Sequence, residues 1–186
     1  MSAAGSYSGS IRSAILAAKE RDRRELDRPL GLLLAVAIGW LLGSTVGGAA
    51  PTGPLWLVPV PASPTAIRAR GRDHLADWTR WTVRALQAQN IPAVHVPALR
   101  RRPGGTDSVG LDAAQRADNL DGAFLVQAIE RPPSSTRIVI VDDIVTTGAT
   151  LVAAGSRLTA GLDLDPNRIG AAVIAATQRS QRSPAR

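Results

Sequence analysis

The sequence predicts an α/β protein built on an open parallel sheet flanked by helices. Short apolar runs rich in β-branched residues, of which residues 137–141 are the clearest, are typical of strands buried on both faces of a sheet. These runs alternate with amphipathic segments such as residues 74–89, which implies parallel strands joined by right-handed crossovers. We therefore expect a single domain over residues 1–176 and a basic, flexible tail over residues 177–186.

The composition of the chain excludes some kinds of metal site and indicates the kind of ligand it can bind. The chain has 186 residues, two histidines and no cysteine, so disulfides and thiolate metal centres are excluded and a structural zinc site is not expected. The net charge of +7 suits either nucleic acid or a small phosphorylated substrate. Aromatic residues make up only 3% of the chain, which disfavours a surface that stacks single-stranded bases. We expect His74 to begin a helix and His95 to end a strand.

The first part of the chain predicts a loose start and one helix. Residues 1–9 are small and polar and lack the pattern of a signal peptide. Apolar residues at helical spacing predict a helix over residues 11–25. We expect its charged run, residues 19–25, to be a solvated, salt-bridged surface.

The uncharged segment over residues 30–50 is about long enough to cross a bilayer. Its strongly apolar part ends at Leu42, however, and the glycine-rich continuation suits a lipid environment poorly. Asp27 as a cap and Pro29 in the first turn indicate a helix start. We therefore expect a buried core helix and no membrane span.

The remaining elements follow from the same patterns. We expect further strands over residues 55–61, 93–96, 123–126 and 169–175, and further helices over residues 74–89, 112–119 and 151–161. Residues 62–73 are expected to form a basic loop. Residues 99–110 contain three consecutive arginines and form the longest irregular segment, which is typical of a lid.

The candidate site follows the strand over residues 137–141. Two adjacent carboxylates, Asp142 and Asp143, precede a turn of small and hydroxyl residues, namely Thr146, Thr147, Gly148, Ala149 and Thr150. A helix starts after this turn, and the unpaired N–H groups and the dipole of a helix start favour a phosphate. The carboxylates would repel that phosphate, so we expect them to bind sugar hydroxyls or to lie near Mg²⁺ carried by the substrate. The competing interpretation is a solvated acidic turn before a helix capped by threonine.

Residues 139–150, VIVDDIVTTGAT, resemble the phosphoribosyl pyrophosphate (PRPP) motif of the type I phosphoribosyltransferases. The order of the weaker motifs is similar to that of the ComF-like competence family within this class. Those motifs are Tyr7 to Arg12 leading to Lys19, residues 58–61, Arg70 with Gly71, and Gly110 with Leu111 followed by Arg116 and Asn119. Two features depart from that family: the chain lacks the cysteine-rich zinc module that often precedes the tyrosine, and Arg72 replaces a common aromatic residue.

The resemblance implies a type I phosphoribosyltransferase fold and a Mg²⁺-dependent transferase that uses PRPP. Asp142 and Asp143 would be catalytic and would hold the ribose hydroxyls, and the turn from Thr146 to Thr150 would hold the 5′-phosphate. The pyrophosphate would lie against Pro61, Ala62 and Ser63, with Arg68 and Arg70 as its cations and the arginines at 100–102 as further candidates. Mg²⁺ would arrive with PRPP rather than occupy a protein metal site.

Thr146 stands where purine-salvage transferases carry an aspartate that exchanges a proton with the purine. A threonine does not do this at neutral pH, so transfer to hypoxanthine or guanine is disfavoured and the acceptor is open.

Three hypotheses about function remain open at this point. The first is a cytoplasmic phosphoribosyltransferase, with a homodimer as one possible assembly. The second is a PRPP sensor or an accessory of the single-stranded DNA-uptake machinery, in which the site binds its ligand without turnover. The third takes the basic charge as a nucleic-acid interface and predicts steep salt dependence.

Overall fold

The computed structural model describes residues 1–43, 53–102 and 122–177. The strands are β1 (Ser2–Ser6), β2 (Leu55–Pro59), β3 (Ala93–His95), β4 (Leu99–Arg101), β5 (Phe124–Val126), β6 (Arg137–Val145) and β7 (Ile169–Ala176). The helices are α1 (Gly9–Glu20), α2 (Asp27–Gly43), α3 (Pro64–Arg70), α4 (His74–Gln87) and α5 (Ala149–Leu162), with 3₁₀ turns at Arg24–Leu26 and Pro166–Arg168. Five parallel strands form one sheet in the order β1-β7-β6-β2-β3, and β4 and β5 form an antiparallel pair. The predicted fold class is confirmed.

Strand β6 is the centre of the sheet. Residues 138–141 are each at most 2% exposed, as expected for a strand covered on both faces. The strand continues to Val145, four residues beyond the predicted end, because β7 still pairs with it after β2 has ended at Pro59. Asp142 and Asp143 therefore lie within the C-terminal half of β6 rather than in a loop.

The prediction of a loose N-terminus is wrong. Residues 2–6 form β1, the edge strand that pairs with β7, and the backbone N–H of Tyr7 donates to the carbonyl of Ala176 at 2.8 Å. The strand consists only of serine, alanine and glycine, which have low strand propensity, so its sequence gave no strand signal although Ala3 and Ala4 pack against the core.

The prediction of a basic loop over residues 62–73 is also wrong, because α3 occupies its middle. The hydroxyl of Ser63 accepts from the backbone N–H of Ala66 at 3.1 Å, and Pro64 stands in the first turn. Gly71 ends the helix with φ +75°, a conformation that glycine adopts without strain. These start and stop signals were present in the sequence, but the arginines between them suggested a loop.

Helix α2 packs against α4, β1 and β7 with its buried face. Gly31 makes the contact with α4 close, since a Cβ there would lie 2.5 Å from Cβ of Trp81. By length and composition alone, Arg24–Gly43 is apolar enough to cross a bilayer, which for a single, partly buried helix is weak evidence. The packing of α2 agrees with the core helix that the sequence predicts.

Several predicted boundaries move or lie outside the described residues. Helix α1 ends at Glu20, five residues before its predicted end, because Asp22 takes φ +45° and turns the chain. The predicted helix over residues 112–119, most of the predicted lid and residues 178–186 of the predicted tail lie outside the described part of the chain.

Candidate functional site

A cleft of about 300 Å³ opens at the carboxyl edge of the parallel sheet, where ligands bind in open α/β folds. It is lined by Lys19, Val60, Pro61, Ala62, Ser63, Ala66, Arg70, Arg72, Asp73, His74, Leu75, Arg101, Asp142, Asp143 and Thr150. Four separate stretches of sequence therefore meet there: the end of α1, the segment from β2 to α4, the end of β4, and the stretch from β6 to α5.

The two aspartates form the floor of the cleft. The backbone N–H of Asp143 donates to Oδ1 of Asp142 at 2.9 Å, and the side chain of Asp143 is 13% exposed. Burial, and after it the negative charge of Asp143, raises the pKa of Asp142 well above its ordinary value. Two close carboxylates withdrawn from water favour a ligand that supplies hydrogen-bond donors or a cation.

Lys19 is a site residue that the sequence analysis placed wrongly, in a solvated surface. Its Nζ donates a hydrogen bond to Oδ2 of Asp143 and forms an ion pair with it. Helix α1 brings Lys19 there from 124 positions away, so local spacing could not reveal the pair. The only sequence signal was the place of Lys19 at the end of the motif that starts at Tyr7.

The turn between β6 and α5 leads directly into the first turn of α5. Gly148 has φ +84°, a left-handed conformation that suits glycine, and the hydroxyl of Thr147 accepts from the backbone N–H of Ala149 at 3.3 Å. Thr150, in the first turn of α5, lines the cleft. Thr146 and Thr147 are exposed in this structure. Of the five predicted phosphate ligands, one therefore lines the cleft and the others form the turn beside it.

The segment after β2 forms the opposite wall. The predicted residues Pro61, Ala62 and Ser63 all line the cleft, and the backbone N–H of Val60 donates to the carbonyl of Val141 at 2.9 Å. This bond fixes the start of the segment to the central strand, directly beside Asp142.

Arg70, Arg72 and Arg101 are the arginines among the residues that line the cleft. Arg70 lines it from the end of α3, as predicted, whereas Arg68 is exposed, hydrogen-bonds to the hydroxyl of Thr65 at 3.5 Å and does not line it. From the arginine triplet, Arg101 lines the cleft. Its Nε donates to the carbonyl of Pro61 at 3.0 Å, and its guanidinium lies 5.4 Å from the ring centroid of Phe124.

Arg72, which lines the cleft, is the centre of an ionic network in which Arg72 and Asp27 are buried and Asp22 and Asp77 are more exposed. Its guanidinium donates to both carboxylate oxygens of Asp27, at 2.7 and 3.1 Å, to Asp22 at 2.6 Å and to Asp77 at 2.9 Å. Asp27 also accepts from Nε1 of Trp78 at 2.8 Å. Burial alone would lower the pKa of Arg72, but these hydrogen bonds outweigh burial and raise the pKa. The network ties the residues between α1 and the start of α2 to the segment before α4, and only the latter segment lines the cleft.

His74 begins α4, as predicted, and lines the cleft with only 3% of its surface exposed. Its pKa is lowered by burial first and by the charges of Arg72 and Arg70 next. A neutral imidazole at this position is therefore favoured at neutral pH. His95 ends β3, as predicted, and its pKa is likewise lowered by burial.

The cleft contains both signs of charge. Lys19, Arg70, Arg72 and Arg101 line it together with Asp73, Asp142 and Asp143. Lys19 is paired with Asp143 and Arg72 with three aspartates, so Arg70 and Arg101 are the cations that favour an anion beside the acid pair. Among the described residues, no group of three or more His, Cys, Asp or Glu side chains converges. A divalent cation at Asp142 and Asp143 would thus need most of its oxygen ligands from a substrate or from water.

No protein-family model matches the chain, and a search of curated proteins finds no match. Among solved structures, the chain is similar to a hypoxanthine phosphoribosyltransferase from Trypanosoma cruzi in a ternary complex with substrates, with 18% identity, a TM-score of 0.43, and 86% of this chain and 72% of that chain covered. A second structure of that enzyme gives 18% identity, a TM-score of 0.44, and coverage of 86% and 69%. This level of likeness concerns the fold alone and leaves the ligand of this chain open.

Proposed function

We propose that the protein is a Mg²⁺-dependent, cytoplasmic phosphoribosyltransferase that uses PRPP and belongs to the ComF-like branch of the type I enzymes. One observation carries the proposal: the acid pair, the start of α5 and the cationic wall after β2 line the same cleft of about 300 Å³. A sugar that bears a phosphate at one end and a pyrophosphate at the other needs these three kinds of surface side by side. The ComF-like assignment is supported by the order of the sequence motifs.

Each part of the cleft has a role in this proposal. Asp142 and Asp143 accept hydrogen bonds from the ribose hydroxyls. The turn from Thr146 to Thr150 holds the 5′-phosphate at the N-terminus of α5, a 14-residue helix. Pro61, Ala62 and Ser63 hold the pyrophosphate together with Arg70 and Arg101.

Transfer of a phosphoribosyl group requires the cleft to stabilise opposite charges that develop on the sugar and on the leaving pyrophosphate. Positive charge develops on the ribose as the pyrophosphate leaves, so Asp142 and Asp143 stabilise the sugar side while Arg70 and Arg101 stabilise the leaving group. Mg²⁺ bound to the pyrophosphate would supply further neutralisation of its charge. The two aspartates suit this ion, because Mg²⁺ is commonly held by one or two carboxylates plus substrate phosphates.

The acceptor is not assigned, and Thr146 argues against hypoxanthine and guanine. A PRPP-sensing or DNA-uptake accessory protein would use the same binding residues. Turnover separates the two proposals, because an enzyme releases pyrophosphate with some acceptor and a sensor only binds.

Calorimetric titration of PRPP with Mg²⁺ into the wild type and into Asp142→Asn/Asp143→Asn tests the site. Glu130→Gln/Asp163→Asn is the matched control, because it removes two exposed carboxylates that do not line the cleft. We expect saturable binding by the wild type and the control, and loss of binding in the acid-pair variant. A folded wild-type protein that does not bind PRPP would contradict the proposal. Binding without pyrophosphate release in an acceptor screen would favour the sensor.

A further inference from the structure

The ion pair between Lys19 and Asp143 changes what the acid pair can bind. Lys19 lies in the last turn of α1 and Asp143 in β6, and Nζ of the lysine contacts Oδ2 of the aspartate. The two side chains are 22% and 13% exposed, so water and salt screen this pair less than a surface pair. Breaking this contact therefore has a free-energy cost that a ligand of Asp143 must offset.

A divalent cation would compete with Lys19 for the same carboxylate. Mg²⁺ requires about six oxygen ligands, and in the described part of the chain only Asp142 and Asp143 converge at this place. Lys19 engages one of these carboxylates, and Oδ1 of the other accepts the backbone N–H of Asp143. A free cation would have to displace the ammonium from Asp143 and would find no third carboxylate or imidazole converging there among the described residues.

A cation that is already bound to a pyrophosphate needs fewer ligands from the protein than a free cation does. The phosphate oxygens supply the ligands that the protein lacks. They also offer Lys19 another anion in the same cleft, where the lysine can form a charge-assisted hydrogen bond after it leaves Asp143.

We propose that Lys19 is the resident cation of the acid pair, so that the pair excludes a free divalent cation. The exclusion of free metal rests on the geometry of Lys19, Asp142 and Asp143 alone.

Titration of the protein with Mn²⁺, without PRPP, tests this exclusion, and electron paramagnetic resonance measures the free ion. The variants are Lys19→Met and, as a matched control, Arg12→Met. Arg12 lies on the same helix, is exposed beside the ring of Tyr7 at 5.9 Å and does not line the cleft. Both substitutions remove one positive charge from α1.

We expect Lys19→Met to bind Mn²⁺ at least about tenfold more tightly than the wild type, the factor that one charge-assisted hydrogen bond represents. Arg12→Met and Lys19→Arg should behave as the wild type, and adding Asp143→Asn to Lys19→Met should abolish the gain. Lys19→Gln replaces the methionine variant if thermal unfolding shows that the latter is not folded.

Equal Mn²⁺ affinity of the wild type and Lys19→Met would overturn the proposal, and so would an equal gain in Arg12→Met. This measurement contains no PRPP. Failure of PRPP binding in the calorimetric experiment would therefore refute the proposed function and leave the Mn²⁺ result interpretable.

Discussion

The Arg72 network gives the sharpest prediction about stability. In the wild type, the side chains of Arg72 and Asp27 are 10% and 11% exposed. Arg72→Met removes the bidentate partner of Asp27 and leaves its carboxylate buried. Removing one partner of a buried ion pair costs about 3–5 kcal/mol, because the other charge stays buried without compensation. For a chain of this size, each kcal/mol lowers Tm by about 2–4 °C, so we expect a loss of roughly 6–20 °C.

Arg80→Met is the matched control, since Arg80 also pairs with Asp77, at 2.7 Å, but is 56% exposed. An exposed pair contributes at most about 1 kcal/mol, so its loss should hardly change Tm. Thermal and urea unfolding of the two variants, at equal salt concentration, measure the difference. Similar small losses in both would show that the Arg72 network does not fix the cleft wall before α4 to the start of α2, and would refute the reasoning.

Three further predictions concern the titrating groups and the close packing of α2. Because the pKa of Asp142 is raised in the folded protein, Asp142 contributes its full stability below its ordinary pKa of 3.8 and loses that contribution as the pH rises. Asp142→Asn should therefore raise Tm more at pH 7 than at pH 4. Equal gains in Tm at the two pH values would contradict this prediction. The lowered pKa of His74 has the opposite effect on stability: the contribution of His74 to the free energy of unfolding is full above pH 6.5 and falls below it. His74→Gln should make this decrease shallower when urea unfolding is measured across that pH range. Gly31→Ala places a Cβ 2.7 Å from the carbonyl oxygen of Trp78 and should cost about 1–3 kcal/mol, whereas Gly39→Ala, with nothing within 4 Å, should gain about 0.5–1 kcal/mol. Thermal unfolding compares these two variants on one helix.

The elements that the sequence predicted best are those whose signal is local. The apolar run of β6 and the amphipathic pattern of α4 each identify an element from its own residues, since burial on two faces or on one face leaves a periodic trace. The predicted turn at Gly148 also follows from local chemistry, because its left-handed conformation favours glycine. Strand β1 left no such trace, because its serine, alanine and glycine residues lack the β-branched pattern of a strand, and its pairing with β7 is made by the backbone.

The acid pair and the turn before α5 were predicted as site residues from the sequence, and residues 61–63 from the family resemblance. The structure brings Asp142, Asp143, Thr150, Pro61, Ala62 and Ser63 to one cleft. Arg68 and Arg70 were both predicted as cations of the site, and Arg70 also belonged to a sequence motif with Gly71. Only Arg70 lines the cleft, because the orientation of α3 decides which side of the helix meets it.

The sequence by itself determined the α/β class, the central strand and the chemical character of the site, because these depend on residue types at short spacing. Only the tertiary structure decided that Lys19 pairs with Asp143, that Arg101 reaches Pro61 and that Arg72 joins three aspartates. These contacts link residues 40 or more positions apart in all but one case, the Arg72 pair with Asp77. Such partners are chosen by the packing of elements around the sheet, which leaves no periodic mark on the sequence.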